Sequence, residues 1–137
     1  MHYSLKLLIT TSLLTGCAST VESEYIENNT AKVEAYTDRY QKELENLASF
    51  LVEECTMKKM SANKNMKLSD LGKYFLDGRV IYQLDPTGKI TNAIYEKKGR
   101  SQKACINKFA VGYQLPKPEG LQYVYGKFTL EVNGDKI

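Results

Sequence analysis

The sequence predicts an α+β domain in which an N-terminal helix and a second helix cover a three-stranded antiparallel sheet. Three observations support this prediction. Apolar residues recur at helical spacing before Cys55, a period-two alternation begins near Tyr74, and a second helical stretch separates the resulting hairpin from a last alternating segment. A domain with helices grouped against an antiparallel sheet belongs to the α+β class.

The first helix is predicted to run from Thr30 to about Cys55. Thr30 or Asn29 is expected to cap its first amides, because side-chain oxygens of these residue types accept such hydrogen bonds. Two interpretations of the apolar stripe are open, a coiled-coil seam or a face that packs on the domain's own sheet. Only about two heptads are clean, so we favour the sheet. The stripe consists of Val33, Tyr36/Thr37, Tyr40, Leu44, Leu47 and Leu51.

The next segment predicts a hairpin followed by the second helix. Alternation from Gly78 to Tyr95 is interrupted by Asp85-Pro86-Thr87-Gly88, which has proline early and glycine late, as turns prefer. Gly99 ends the hairpin, and Ser101 is expected to begin a helix that reaches about Tyr113.

The last predicted strand runs from Leu121 to Val132. Leu115-Pro116-Lys117-Pro118 before it is expected to be extended, because proline disfavours the helical region for its predecessor. Tyr123 and Tyr125 alternate in one phase and Phe128 in the other, so a bulge is expected at Gly126.

The leader has an apolar run of eight residues, Leu7 to Leu14, which is far shorter than the roughly 20 residues that span a bilayer. The run closes in Leu14-Thr15-Gly16-Cys17, which resembles the bacterial lipobox. The resemblance implies cleavage before Cys17 and acylation of that cysteine. Because Ala18 is not the aspartate associated with inner-membrane retention, the outer membrane is favoured. The alternative is an ordinary signal peptide that ends near a cysteine.

These observations divide the chain into a signal peptide (1–16), a lipidated tether (17–29) and a domain (30–137). Ala18 to Asn29 is polar and lacks periodicity, so we expect this part of the tether to be flexible. Several acyl chains on one residue anchor a protein stably without spanning the membrane. The domain is therefore expected to lie in the periplasm, an oxidising compartment.

Once Cys17 is acylated, the remaining cysteines are Cys55 and Cys105. An even pair in an oxidising compartment predicts a disulfide. A loop of about 50 residues would then contribute roughly 4 kcal/mol by the chain-entropy relation. The alternative is two unpaired buried cysteines. A redox pair is disfavoured because the chain has no Cys-x-x-Cys.

Charge is divided sharply along the chain. Glu22 to Glu54 contains nine acids and three bases, a net charge of −6, whereas fifteen bases and seven acids follow from Cys55 onward, a net charge of +8. The basic part is suited to an anionic lipid, a polymer or an acidic protein. The alternative is that the acidic helix neutralises it.

The residues do not suggest an enzyme. The one histidine, His2, lies in the leader, which leaves the mature chain without the commonest general base and metal ligand. Asp70, Asp77 and Asp85 lie beside turn residues that account for them. We expect no catalytic residue, no metal and no cofactor.

Five motifs together resemble the C-terminal domain of the TonB/TolA superfamily, and most closely its cysteine-containing AgmX/PglI-like branch. The similarity covers about residues 40–132. It departs from the branch in the long lysine-rich loop after Cys55 and in Leu115, where an aromatic is usual. The motifs are Glu54-Cys55, the Gly78–Tyr95 hairpin with Gly88, Cys105-Ile106, Leu115-Pro116-Lys117-Pro118-Glu119-Gly120 and Phe128-Thr129-Leu130.

The resemblance implies a domain that docks partners by adding a strand to its sheet. We expect a non-catalytic lipoprotein that binds another envelope protein, not nucleic acid, in a secretion, motility or envelope-integrity assembly. The predicted partner edge consists of Tyr123, Tyr125, Lys127 and Thr129. The alternative is a lipoprotein that blocks a toxin, a hydrolase or a cell-wall polymer through its basic face.

Overall fold

The computed structural model describes residues 20–67, 69–70, 74–97, 100–128, 131–132 and 135–136. The α+β class is confirmed. Within these ranges, no helix combines the length and the hydrophobicity that crossing a bilayer requires. The elements in chain order are α1 (Val21–Asn28), α2 (Thr30–Arg39), α3 (Gln41–Val52), a π-helical turn (Glu53–Met57), α4 (Lys58–Ala62), β1 (Gly78–Leu84), β2 (Ile90–Tyr95), α5 (Arg100–Ala110), β3 (Tyr123–Phe128), β4 (Glu131–Val132) and β5 (Asp135–Lys136).

The main sheet has the strand order β2-β1-β3 and is antiparallel throughout. The predicted hairpin is confirmed as β1 and β2. Of the predicted last strand, Tyr123–Phe128 forms β3, whereas Glu131–Val132 pairs with Asp135–Lys136 in a separate sheet. Residues 129 and 130 lie outside the described residues. The sequence between β4 and β5 is Asn-Gly, a strong hairpin signal that explains this local pairing.

The bulge predicted at Gly126 is wrong. The β1–β3 register runs without a shift from Gly78↔Phe128 to Gln83↔Tyr123, because the two phases are simply the two faces of one strand. Gly126 has a packing role instead, since a Cβ there would lie 3.0 Å from Cε2 of Tyr82. The irregularity in the sheet lies between Gln83 and Leu84 of β1, opposite β2.

The hydrophobic core lies between the inner face of the sheet and the helices α3 and α5. Leu47 and Leu51 of α3 are fully buried, as are Val80 of β1 and Val124 of β3. The predicted packing of the apolar stripe on the domain's own sheet is confirmed by this arrangement. From α5, the buried residues are Cys105, Ile106 and Ala110.

The helical stretch predicted from Thr30 to Cys55 breaks at Tyr40 and continues to Ala62 through the π-helical turn. The expected capping is wrong, because α1 directly precedes α2 and the polar side chains bond backward. Thr30 Oγ donates to the carbonyls of Ile26 and Glu27, at 3.2 and 2.7 Å. The second helix ends at Ala110, earlier than predicted, and Gly112 with φ +90° follows it.

The flexible tether is also a wrong prediction for residues 21–28, which form α1. Ile26 is 4% exposed, and the Tyr25 ring makes an edge contact with Tyr123 at 5.2 Å between centroids. The Tyr25 hydroxyl accepts a hydrogen bond from the Gln122 amide at 3.0 Å. Two neighbouring apolar residues therefore dock a segment whose composition is otherwise polar. Cys17 lies outside the described residues.

The predicted disulfide is confirmed between Cys55 and Cys105, whose Cα atoms are 5.8 Å apart. The alternative of two unpaired cysteines is thereby excluded. Cys55 lies in the π-helical turn and Cys105 in α5, and both are buried. The bond therefore joins the two helical segments that cover the inner face of the sheet.

Candidate functional site

The sheet has two edge strands. Other parts of the chain form hydrogen bonds with one of them, β2, whereas helices α1, α2 and α3 lie against the other, β3. The Ile90 amide at the start of β2 donates to the Tyr113 carbonyl at 3.0 Å, and the Gly112 amide donates to the Ile90 carbonyl at 2.8 Å. Further along β2, Asn107 Nδ2 donates to the Ala93 carbonyl at 3.2 Å. The segment after α5 and the Asn107 side chain thus occupy part of this edge.

The other edge is β3, and the hydrogen-bond pattern decides which of its backbone groups face outward. The Leu84 amide donates to the Gln122 carbonyl at 2.9 Å. Because residues of an antiparallel strand face the partner strand alternately, Val124, Gly126 and Phe128 direct their backbone groups toward β1. The amides and carbonyls of the other three residues of β3 therefore point away from the sheet. These outward residues are Tyr123, Tyr125 and Lys127.

Three of the four predicted edge residues are therefore brought together, whereas Thr129 lies outside the described residues. Within the described ranges, no other element hydrogen-bonds to the outward backbone groups of Tyr123, Tyr125 or Lys127. Unpaired strand groups of this kind are a template for another strand. Lys127 is exposed and the two tyrosines are half-buried.

Two cations flank the Tyr125 ring on the outer face of the sheet. The Arg79 guanidinium lies 5.5 Å from the ring centroid, and the Lys127 ammonium lies 5.6 Å from it. Contacts of this kind hold a cation over the negative face of the ring. The arrangement keeps Tyr125 and Lys127 in defined positions at the β3 edge.

Arg79 is held in turn by Glu96 at the end of β2. Its Nε and Nη2 atoms each donate to the Glu96 carboxylate at 2.8 Å, and the Ser23 hydroxyl of α1 donates to the same carboxylate at 3.3 Å. The Arg79 guanidinium holds the pKa of Glu96 below its usual range. This pair was not predicted from the sequence. Symmetric pairing about the Asp85–Gly88 turn places Arg79 opposite Ile94, and only the register shift between Gln83 and Leu84 brings Glu96 opposite Arg79.

A groove of about 340 Å³ lies beside β3, between the strand and the elbow where α2 meets α3. We call its two sides the strand wall (Tyr125, Gly126 and Lys127) and the helical wall. Leu44 of the helical wall is 5% exposed and packs into the core. The helical wall consists of Thr37, Asp38, Gln41, Leu44 and Glu45.

The acidic helices form few ion pairs with the basic part of the chain, which runs from Cys55 onward. Among the described residues, Lys58–Glu54 is the ion pair that joins a base of the basic part to an acid of the helices. Arg79 and Lys97 pair instead with Glu96 and Asp77 of their own region. The alternative that the acidic helices cancel the basic charge is therefore not supported by direct contacts.

The three aspartates that lie beside turn residues make local contacts within the fold. The Asp85 carboxylate accepts from the Thr87 amide at 2.9 Å, from the Thr87 hydroxyl and from the Lys89 amide, and these hydrogen bonds hold its pKa below the usual range. The carboxylate of Asp77 pairs with Lys97, and the amide of Asp70 donates to the Lys67 carbonyl. Within the part of the chain that the structure describes, no cluster of three potential metal ligands occurs.

The fold and the site define a disulfide-linked α+β domain with a groove along one strand edge. No family model matches the chain, and neither a curated protein nor a solved structure matches it. The geometry of the β3 edge and the leader sequence are therefore the features that bear on function.

Proposed function

We propose that the protein is a non-catalytic outer-membrane lipoprotein that docks another envelope protein by accepting one of its strands on β3. The domain would act as a periplasmic module similar in kind to the TonB/TolA C-terminal domains that its motifs resemble. The observation that carries the proposal is the outward direction of the backbone groups of Tyr123, Tyr125 and Lys127, together with the hydrogen bonds that other parts of the chain already make to the β2 edge.

Strand addition suits this edge energetically. Each backbone hydrogen bond contributes about 0.5–1.5 kcal/mol net, so a few such bonds alone give weak binding. The Tyr125 ring and the Lys127 side chain add apolar and charged contact beside those bonds. In this binding mode, backbone bonds provide affinity and the flanking side chains provide specificity.

A second function remains a candidate because the basic part has few direct neutralising contacts with the helices. In that case the domain would block an acidic toxin, hydrolase or cell-wall polymer. Co-purification from detergent-solubilised envelopes separates the two functions, since the first expects a stable membrane complex and the second a soluble or polymeric ligand.

The first test concerns the anchor. Cys17→Ser should abolish acylation and leave an uncleaved precursor or a soluble product, because the thiol is the acyl acceptor in the lipobox. Metabolic labelling with a fatty acid and fractionation of the envelope measure both effects. Ordinary membrane retention with an unchanged acyl label would contradict the assignment. Cys55→Ser replaces a cysteine outside the lipobox and should keep the label, although it also opens the bond to Cys105.

The anchor would also hold the domain close to the membrane. Helix α1 begins at Val21, four residues after Cys17, and four extended residues reach about 14 Å at most. The docking edge would therefore work near the membrane surface, not at the end of a long flexible arm.

The second test concerns the β3 edge. Lys127→Pro should reduce recovery of the co-purifying protein by about tenfold, because it removes an outward amide and obstructs strand pairing. Lys127→Ala is the matched control, since it removes the same side chain but keeps the amide. We expect it to reduce recovery less than about threefold, mainly through electrostatics.

Quantitative mass spectrometry of the tagged protein's complexes measures both recoveries, and circular dichroism checks the fold of each variant. If both variants fold normally and recover the partner as the wild type does, β3 has a structural role alone.

A further inference from the structure

Helix α1 covers the outer face of the main sheet and also joins the domain to the proposed anchor. We infer that α1 is a releasable strap, which opens without unfolding the domain, lengthens the tether and uncovers apolar side chains of the sheet. The part of this inference that concerns the membrane rests on the proposed function, because it takes Cys17 as the lipidated residue.

The contacts of α1 place it across all three strands of the sheet. Ser23 Oγ donates to the Glu96 carboxylate beside the end of β2, at 3.3 Å. The Tyr25 ring contacts the Tyr123 ring at the start of β3. Because β1 lies between these two strands, a helix that touches both must pass over it. Ile81 of β1 points to this outer face by alternation and is fully buried, so α1 shields it from water.

Helix α1 is held on the sheet by less apolar burial than α3. Across Val21–Asn28, all of which the structure describes, Ile26 is the one buried side chain, whereas α3 buries three leucines. Burial of one large apolar side chain offsets the ordering of about one or two residues, and α1 orders eight. Local opening of α1 should therefore cost much less free energy than opening of the core helices.

The junction between α1 and α2 has side chains that suit both a docked and a released α1. In the docked state, Asn29 Nδ2 donates to the Tyr25 carbonyl at 2.8 Å. Thr30 Oγ donates to the carbonyls of Ile26 and Glu27. Within this described stretch, the Asn29 side chain accordingly makes no capping hydrogen bond to α2. Release of α1 would free Asn29 to cap α2, since asparagine is a favoured N-cap residue, so α2 keeps its start in both states.

Release of α1 would change how far the domain reaches from the membrane. While α1 is docked, the tether runs from Cys17 to Val21 and spans about 14 Å at most. After release it continues to Thr30, thirteen residues after Cys17, and spans about 45 Å at most. The strap would thus let the domain meet partners farther from the membrane, with Ile81 uncovered.

A glutamate at the far end of α1 makes its opening measurable. Endoproteinase Glu-C cuts after glutamate in unfolded segments, so cleavage after Glu27 reports release of the whole helix and tracks the open population. The lipidated protein in phosphatidylcholine vesicles is treated with this protease, and mass spectrometry follows the fragment that begins at Asn28. Cleavage after Glu27 should be at least about tenfold faster than at the glutamates of α2 and α3.

A packing variant tests what holds the strap closed. Ile26→Ala removes the buried contact and should speed cleavage after Glu27 by at least about tenfold. Val21→Ala is the matched control, because Val21 lies in the same helix and is 73% exposed, and its rate should equal that of the wild type.

A junction variant tests the hydrogen bonds of the docked state. Thr30→Val removes the two bonds that only docked α1 accepts, and it should speed cleavage after Glu27 about fivefold. Thr37→Val is its control, because Thr37 Oγ donates to the Val33 carbonyl within α2 at 2.9 Å and not to α1. Its rate should be unchanged.

Neutron reflectometry of the lipidated protein on a supported bilayer measures the reach. Ile26→Asp, which would bury a charge when α1 docks, should place the domain about 10 Å farther from the bilayer, because the mean extension of a flexible tether grows with the square root of its length. Circular dichroism checks that the domain of this variant is folded. An unchanged distance in a folded variant would overturn the lengthening of the tether.

The outcomes separate the strap from the function on which it rests. Wild-type cleavage rates in both Ile26→Ala and Thr30→Val, or cleavage of α1 only together with α2 and α3, would overturn the strap and leave the anchor standing. Protein that does not stay on the vesicles before the protease is added would overturn the anchor. The same cleavage measurement in detergent would then decide whether α1 opens by itself.

Discussion

Replacing Cys55 and Cys105 together with alanine should lower the free energy of unfolding by about 4 kcal/mol. The bond closes a loop with a sequence separation of 50 residues, and the chain-entropy relation gives a loss of this size when such a loop opens. Small domains are stable by about 5–15 kcal/mol in total, so the variant would lose a large part of its stability.

Thermal unfolding followed by circular dichroism measures the effect, and the expected decrease in Tm is roughly 15 °C. Reduced wild-type protein is the control, because it keeps both sulfur atoms and loses the cross-link alone. A similar decrease in both samples assigns the effect to the cross-link. A decrease below about 3 °C in both would contradict the chain-entropy argument.

Gly88→Ala should cost about 3 kcal/mol or more. Gly88 has φ +93°, a conformation that residues with a Cβ rarely adopt. A Cβ at this position would also lie 2.3 Å from the Leu115 carbonyl oxygen and 2.6 Å from that of Pro116. Both obstacles are backbone atoms. The Leu115 amide donates to the Gly88 carbonyl at 3.0 Å, so the turn at Gly88 and the segment at Leu115 cannot separate without losing this bond.

Gly112→Ala is the matched control for that prediction. Gly112 has φ +90°, but a Cβ there would meet nothing within 4 Å. This variant should therefore cost only the backbone strain, about 1 kcal/mol. Urea unfolding of both variants measures the difference. If the two substitutions cost the same amount, the close approach to residues 115 and 116 does not contribute.

The structure also explains why some parts of the candidate site were visible in the sequence. Tyr123, Tyr125 and Lys127 follow a plain period of two, which placed them on one face of a last strand. The bulge at Gly126 was wrong because the glycine is explained by the Tyr82 ring across the sheet, and a single strand carries no signal of that contact. The helical wall was missed for the same reason, since Asp38 and Glu45 meet β3 only through the fold.

The sequence by itself determined the features that depend on local periodicity and on residue type. The apolar stripe of α3, the β1–β2 hairpin and the pairing of Cys55 with Cys105 follow from spacings of three and four, from alternation and from an even number of cysteines. Tertiary structure alone decided the strand order, the outward backbone groups of β3 and the position of α1. An eight-residue helix is marginal in isolation, so α1 exists because Tyr25 and Ile26 have a sheet and neighbouring helices to pack against. Likewise, β3 pairs with β1 across a sequence separation of 40 to 50 residues, and it is this long-range pairing that directs the backbone groups of Tyr125 and Lys127 outward.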